Sequence, residues 1–206
     1  MIAILDYDAG NLKSVEKALG FLGEESIITR DRREVEQADK LILPGVGSFG
    51  AAMRQLKKYE IDKMLQEAVA EGKPLLGICL GLQLLFEESE ESPGVRGLGI
   101  LEGQILKIPE KEGLKIPHIG WNSLQLMRNG RLFLDIAPES YVYFVHSYYL
   151  KAKDEKIVTA ATEYGTYIHA SVECNNVFAC QFHPEKSSAA GLKILSNFAA
   201  IQRGDG

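Results

Sequence analysis

The sequence predicts an α/β protein: a mostly parallel central sheet flanked by helices, with an antiparallel or mixed β extension in the C-terminal half. Two observations predict it. In the first half, short apolar runs alternate with segments of helical periodicity, as when parallel strands are joined by crossover helices. From Leu98 onward the texture changes to short β-rich segments with turn residues between them.

Ile2 to Leu5 is the first expected strand, and Leu12, Val15, Leu19 and Leu22 recur at the spacing of one buried helix face. Leu41 to Leu43 is a second strand, running into Pro44-Gly45-Val46-Gly47. Helices are expected from Phe49 to Tyr59 and from Ile61 to Ala70, then a strand from Pro74 to Ile78 and a helix starting at Leu80 to Phe86. The run Glu87 to Ser92 reads as a solvated acidic loop. Further strands are expected at Gly103–Ile108, Tyr141–Val145, Ile157–Thr162, Thr166–Val172 and Val177–Phe182. A closing helix, Ala189 to Ile201, carries Leu192, Leu195 and Phe198 on one face. With no internal repeat and no low-complexity linker, residues 1–206 are expected to form a single domain.

Composition narrows the function classes. Hydrophobic residues make up 46% and charged residues 25% of the 206, as in ordinary globular proteins. The net charge of -5 includes no concentrated basic stripe, so a small ligand is expected rather than nucleic acid. Three irregularly spaced cysteines make no disulfide framework and no C-x-x-C zinc pair, which points to a cytosolic protein. No basic leader precedes Asp6, so no secretion signal is indicated. The longest apolar stretch, Pro74 to Phe86, is broken by Gln83 and falls short of the roughly 20 residues of a membrane span.

The chemistry concentrates at Gly77-Ile78-Cys79-Leu80-Gly81, a cysteine at a strand-to-helix turn between two glycines. Such an elbow strains the backbone at the nucleophile, and side chains at 77 and 81 would collide. A helix N-terminus beside the sulfur favours its nucleophilic form. The alternative is a buried thiol between packing glycines. A second segment, Gln181-Phe182-His183-Pro184-Glu185, ends a strand in a histidine with a carboxylate two residues on. A cysteine nucleophile needs a base, and the base needs a group that fixes its tautomer. Cys79, His183 and Glu185 fill those roles. Ligands of open α/β sheets bind at the carboxyl ends of strands, where loops 44–47, 77–81 and 183–186 are expected to converge. The amides of Gly45, Val46 and Gly47 and the N–H of Leu80 are the expected oxyanion donors. Gln83, one helical turn after Cys79, is expected to bind the polar end of a small substrate. Trp121, the single tryptophan, is read either as a core residue or as an interface anchor.

These residues resemble the class I (triad-type) glutamine amidotransferases. Segments 6–12, 43–47, 77–86, 117–122, 143–149 and 182–187, taken in order, are similar to members whose ammonia enters a (β/α)8-barrel cyclase partner making imidazole glycerol phosphate. The resemblance implies glutamine as substrate, a γ-glutamyl thioester on Cys79, and no cofactor or metal. It implies that Gln83 and the backbone around His146, Ser147 and Tyr148 hold the amino-acid end of glutamine. Asn11, Trp121, Tyr143 and Lys186 match positions at the partner contact, giving a heterodimer. The chain departs from the family pattern at Asp8, where glycine is commoner, and at Ser188, where glutamine is commoner. Three rivals stand beside this reading: a γ-glutamyl hydrolase or peptidase with the same elbow and no partner, a phospho-receiver module built on Asp6 and Asp8, and a catalytically silent scaffold, which the presence of all three triad residues disfavours.

Overall fold

The structure, a computed structural model, describes residues 1–204. In chain order the elements are β1 (Ile2–Leu5), α1 (Leu12–Phe21), β2 (Ser26–Thr29), α2 (Arg32–Gln37), β3 (Lys40–Gly45), α3 (Phe49–Lys58), α4 (Ile61–Ala70), β4 (Leu75–Cys79) and α5 (Leu80–Leu84). There follow β5 (Glu88–Ser89), β6 (Gly103–Lys107), β7 (His118–Ser123), β8 (Gln125–Leu126), β9 (Tyr141–His146), β10 (Tyr148–Ala152), β11 (Val158–Glu163), β12 (Tyr167–Cys174), β13 (Val177–Cys180) and α6 (Ser188–Ala200).

The main sheet runs β2-β1-β3-β4-β13-β12-β11-β8. Neighbours from β2 to β13 are parallel, and β12, β11 and β8 continue it antiparallel. Parallel strands covered on both faces must be apolar throughout, and β1, β3, β4 and β13 are buried at every position. Alternation then sorts their side chains. Ala3, Leu5, Leu41 and Leu43 pack under α3 and α4 with Leu56 and Leu65. Ile2, Ile4, Ile42 and Ile78 pack under α1 and α6 with Val15, Leu19, Leu195 and Phe198. Phe198 meets Phe178 edge-to-face at 6.0 Å, which anchors the closing helix to the sheet.

Two expected strands leave the main sheet. β6 joins β5 and β10 in a separate sheet of three, and β9 pairs with β7 in a two-stranded ribbon. The acidic run is also not a solvated loop. The Glu87 carboxylate accepts from Gly103 N at 3.1 Å, Glu90 from Lys107 N at 2.6 Å and Glu91 from Phe49 N at 2.7 Å, while Ser89 is buried. Each carboxylate satisfies a backbone donor that would otherwise lack a partner. The sheet order sets β3, β4 and β13 side by side, so the loops leaving their carboxyl ends meet.

Candidate active site

At the end of β4 the chain turns into α5 through Cys79, whose φ of 55° and ψ of -109° lie where side-chain-bearing residues are strained. The flanking glycines make the turn possible. A Cβ on Gly81 would stand 1.8 Å from the Leu43 carbonyl oxygen, and one on Gly77 would stand 2.9 Å from that of Gly81. Sequence reasoning expected these two positions to collide, and the structure places Gly81 against β3 more tightly than against its partner glycine. The helix beyond is only five residues long, so its dipole contributes little at the sulfur. The electrostatic partner of Cys79 is His183.

His183 follows β13 and is buried. Its Nδ1 lies 2.8 Å from Glu185 Oε1, and Glu185's side chain is itself only 2% exposed. With Glu185 on Nδ1, the free ring nitrogen is Nε2, which is buried without a hydrogen bond of ordinary geometry. Burial opposes the charged ring. Interactions with Cys79 and then Glu185 outweigh it and raise the His183 pKa to about 9. A histidine in that state carries its proton at neutral pH. An imidazolium beside a sulfur is the setting in which a cysteine attacks rather than sits inert.

Cys79 and His183 line one cavity of about 300 Å³ together with Val46, Gly47, Leu80 and Gln83. Its far wall is Glu91, Pro117, Val145, His146, Ser147 and Tyr148. Every expected substrate residue and most of the expected oxyanion loop are therefore brought to one place. Gly45 lies just behind, pinned because a Cβ there would meet Tyr7 Oη at 2.5 Å and Leu80 Cβ at 2.8 Å. Gly47, by contrast, has a φ of 98° and open space around it, so the loop is fixed at one end and free at the other. A larger cavity of about 750 Å³, between Met127–Asp135 and the end of α6, contains none of these residues.

Gln83 is buried and oriented by its amide nitrogen, which donates to the Tyr148 carbonyl at 3.0 Å and to Gln181 Oε1 at 3.1 Å. Its donors are thus spent on the protein, and its carbonyl oxygen is left as an acceptor for a cationic or N–H group. Two residues of this network escaped sequence reasoning. Gln181, whose Nε2 makes a long 3.7 Å contact to Cys79 Sγ, was signalled by being polar inside an apolar strand. Glu91 was hidden by the acidic residues around it.

The four residues expected at a partner contact lie on one rim. Trp121 is half-exposed at 50%, and so is no core residue; it meets Tyr143 edge-to-face at 6.0 Å across the β7–β9 ribbon. Lys186 and Asn11 are exposed, in the Pro184–Lys186 turn and just before α1, which pack together. Tyr143 is tied to the base: its carbonyl accepts from His183 N at 2.9 Å, and its N–H donates to Ser187 Oγ at 2.9 Å. The departure at Asp8 also has a structural account. Asp8 sits at a φ of 63°, the region that favours glycine, and is held there by Arg30 at 2.7 Å and by the Tyr59 hydroxyl. Those two hydrogen bonds, Tyr59's first, hold its carboxyl below the usual range. Ser188 likewise has a φ of 49° and is the first residue of α6.

Known proteins point the same way. A family profile described as "Glutamine amidotransferase class-I" matches residues 3–201. The "Imidazole glycerol phosphate synthase subunit HisH" of Bacillus cereus is 49% identical over 201 residues, covering 98% of this chain and 95% of that protein. The subunit of the same name from Methanothermobacter thermautotrophicus is 47% identical over 203 residues, covering 98% and 100%. Among solved structures, a "Crystal structure of glutamine amidotransferase" superposes with a TM-score of 0.75 at 22% identity, covering 96% of this chain and 98% of that one. The "Structure of PurLQS from Thermotoga maritima" gives a TM-score of 0.74 at 23% identity, covering 96% of each. The last two speak to the fold alone. With a family match across almost its whole length and relatives near half identity, the chain belongs to the class I glutamine amidotransferases.

Proposed function

We propose that this chain is a glutaminase subunit of imidazole glycerol phosphate synthase. It hydrolyses glutamine to glutamate and hands the ammonia to a (β/α)8-barrel cyclase partner in histidine biosynthesis. The observation that carries this reading is the meeting of Cys79, His183 and Gln83 around one cavity of about 300 Å³, a volume suited to a single amino acid, with Glu185 hydrogen-bonded to His183.

In this mechanism Cys79 Sγ attacks the side-chain carbonyl carbon of glutamine. Negative charge gathers on the carbonyl oxygen, where backbone N–H groups of Val46, Gly47 and Leu80 receive it. His183 donates its Nε2 proton to the amide nitrogen as the C–N bond breaks, so ammonia leaves and a γ-glutamyl thioester remains. Water then attacks the thioester, giving a proton to His183, and glutamate departs with Cys79 regenerated. Glu185 keeps Nδ1 protonated and the ring aimed throughout. The Gln83 carbonyl oxygen and the Glu91 carboxylate face the substrate's ammonium group, and the Ser147–Tyr148 backbone faces its carboxylate.

Ammonia released to water at neutral pH becomes ammonium, which is no nucleophile, so delivery into a dry passage preserves its reactivity. The partner docks on the rim formed by Asn11, Trp121, Tyr143 and Lys186, with Asn11, Trp121 and Lys186 solvent-accessible in the isolated chain. Hydrolysis without an acceptor is wasteful. The free end of loop 45–47 therefore presents its amides correctly only when the partner holds its own substrate. The reading takes the chain to work in the cytosol; among the described residues no helix is long and apolar enough to cross a membrane. The test is ammonia release from glutamine by wild type and Cys79→Ala, each with and without a co-expressed barrel partner. The account requires turnover that is partner-stimulated and Cys79-dependent; rapid turnover by the chain alone would favour a free-standing hydrolase.

A further inference from the structure

The inner face of the β7–β9 ribbon carries a line of hydrogen bonds whose direction is fixed at every joint. His146 Nδ1 lies 2.9 Å from the Tyr148 carbonyl oxygen, which can only accept, so Nδ1 bears the proton. In a neutral ring Nε2 is then an acceptor. His118 Nδ1 stands 3.1 Å from it and must donate. That leaves His118 Nε2 to accept from Asn122 Nδ2 at 3.5 Å, an amide that also donates to the Glu163 carbonyl at 3.0 Å. Burial keeps both rings neutral, lowering His118 to about 4 and His146 to about 3. His118 is clamped between Tyr164 and Phe144, with ring centroids 3.9 and 4.7 Å away.

The line ends on a carbonyl that matters. Tyr148 O also accepts from Gln83 Nε2 at 3.0 Å, and Gln83, His146, Ser147 and Tyr148 all wall the cavity, whereas His118 is not among its lining residues. We propose that His118 is a positioning residue for glutamine hydrolysis: through His146 it holds the Tyr148 carbonyl, and with it Gln83 and the Ser147–Tyr148 wall, in the orientation that receives the amino-acid end of the substrate. This rests on the glutaminase reading for its substrate, but the hydrogen-bond line itself does not.

The line demands the Nδ1–H tautomer on both rings, which is the minority form of free neutral imidazole. Long-range ¹H–¹⁵N correlation spectra of the full chain read this without any substrate. Nδ1–H on both His118 and His146 is expected, and Nε2–H on either ring overturns the proposal. The kinetic arm compares His118→Phe, which keeps the stacked ring but loses the donor, with His118→Asn, whose amide nitrogen stands near the lost Nδ1. Both are assayed with the co-expressed barrel partner. Loss of one buried hydrogen bond is expected to raise the glutamine KM about five- to tenfold in His118→Phe, with kcat within about threefold of wild type. His118→Asn restores part of the KM. An unchanged KM in a folded His118→Phe, or a fall in kcat alone, refutes the positioning role. Failure of the wild type to hydrolyse glutamine would instead sink the glutaminase reading, while the tautomer spectra still decide whether the line exists.

Discussion

Gly81→Ala adds one methyl group and should nevertheless disable the protein. The new Cβ would lie 1.8 Å from the Leu43 carbonyl oxygen, against an ordinary contact of 3.4 Å or more, so about 1.6 Å must be opened between α5 and β3. Neither side yields easily. Leu43 lies opposite Gly77 in a strand hydrogen-bonded on both edges, and Gly81 follows Cys79 by two residues. Overpacking against a backbone atom that cannot swing away costs about 3 kcal/mol, the upper part of the usual range. For a chain of this length that lowers Tm by roughly 6 to 12 °C. A displacement of an ångström at the elbow is also expected to reduce glutamine turnover about 100-fold. The control is the same substitution at Gly20, on α1, where a Cβ meets nothing within 4 Å. There the gain in helix propensity should stabilise the fold by about 0.5–1 kcal/mol and leave turnover unchanged. Thermal melts and ammonia release decide both. A Gly81→Ala protein that melts and turns over like wild type would refute the claim that this close approach builds the elbow.

Other perturbations test other links. Glu185→Gln removes a buried charge-assisted hydrogen bond to His183 and should lower kcat about 10- to 100-fold, measured with saturating glutamine and the barrel partner. The same variant reports on linkage. A histidine raised from 6.5 to about 9 on folding adds stability that is fully present below pH 6.5 and is lost as pH rises through 9. Wild-type Tm should therefore fall across that window more steeply than the Tm of Glu185→Gln; parallel curves would contradict the assignment. Trp121→Ala should weaken association with the barrel partner at least tenfold by titration, while changing Tm little because the indole is half-exposed.

What could be read from the chain follows from where each segment lies. β1, β3, β4 and β13 are covered on both faces, so they were forced to be apolar runs and were legible as strands. β2 lies at the sheet edge, half-buried, and its Ser-Ile-Ile-Thr carried too little pattern to be seen. β7 was missed because its apolar residues, Ile119 and Trp121, face outward while its inner face holds His118. Of the site, the strained cysteine and the His-x-Glu pair were legible because their chemistry dictates neighbours in sequence. Gln181 showed only as a polar residue in an apolar run and Glu91 not at all, since their roles come from distant partners: Gln83 and Cys79 for one, Phe49 N–H for the other. Strain in the backbone at the elbow was expected from its glycines, whereas the positive φ at Asp8 depends on Arg30 and Tyr59, which no local pattern announces.

The central claim is that Cys79 takes up the glutamyl group. Acid-quenched turnover mixtures of the chain with its barrel partner and glutamine, digested and mapped by mass spectrometry, test it most directly. A γ-glutamyl adduct on the peptide containing Cys79 in wild type, absent from Cys79→Ala, is the expected result. Undiminished ammonia release from Cys79→Ala, or an adduct on Cys174 or Cys180 instead, would contradict it.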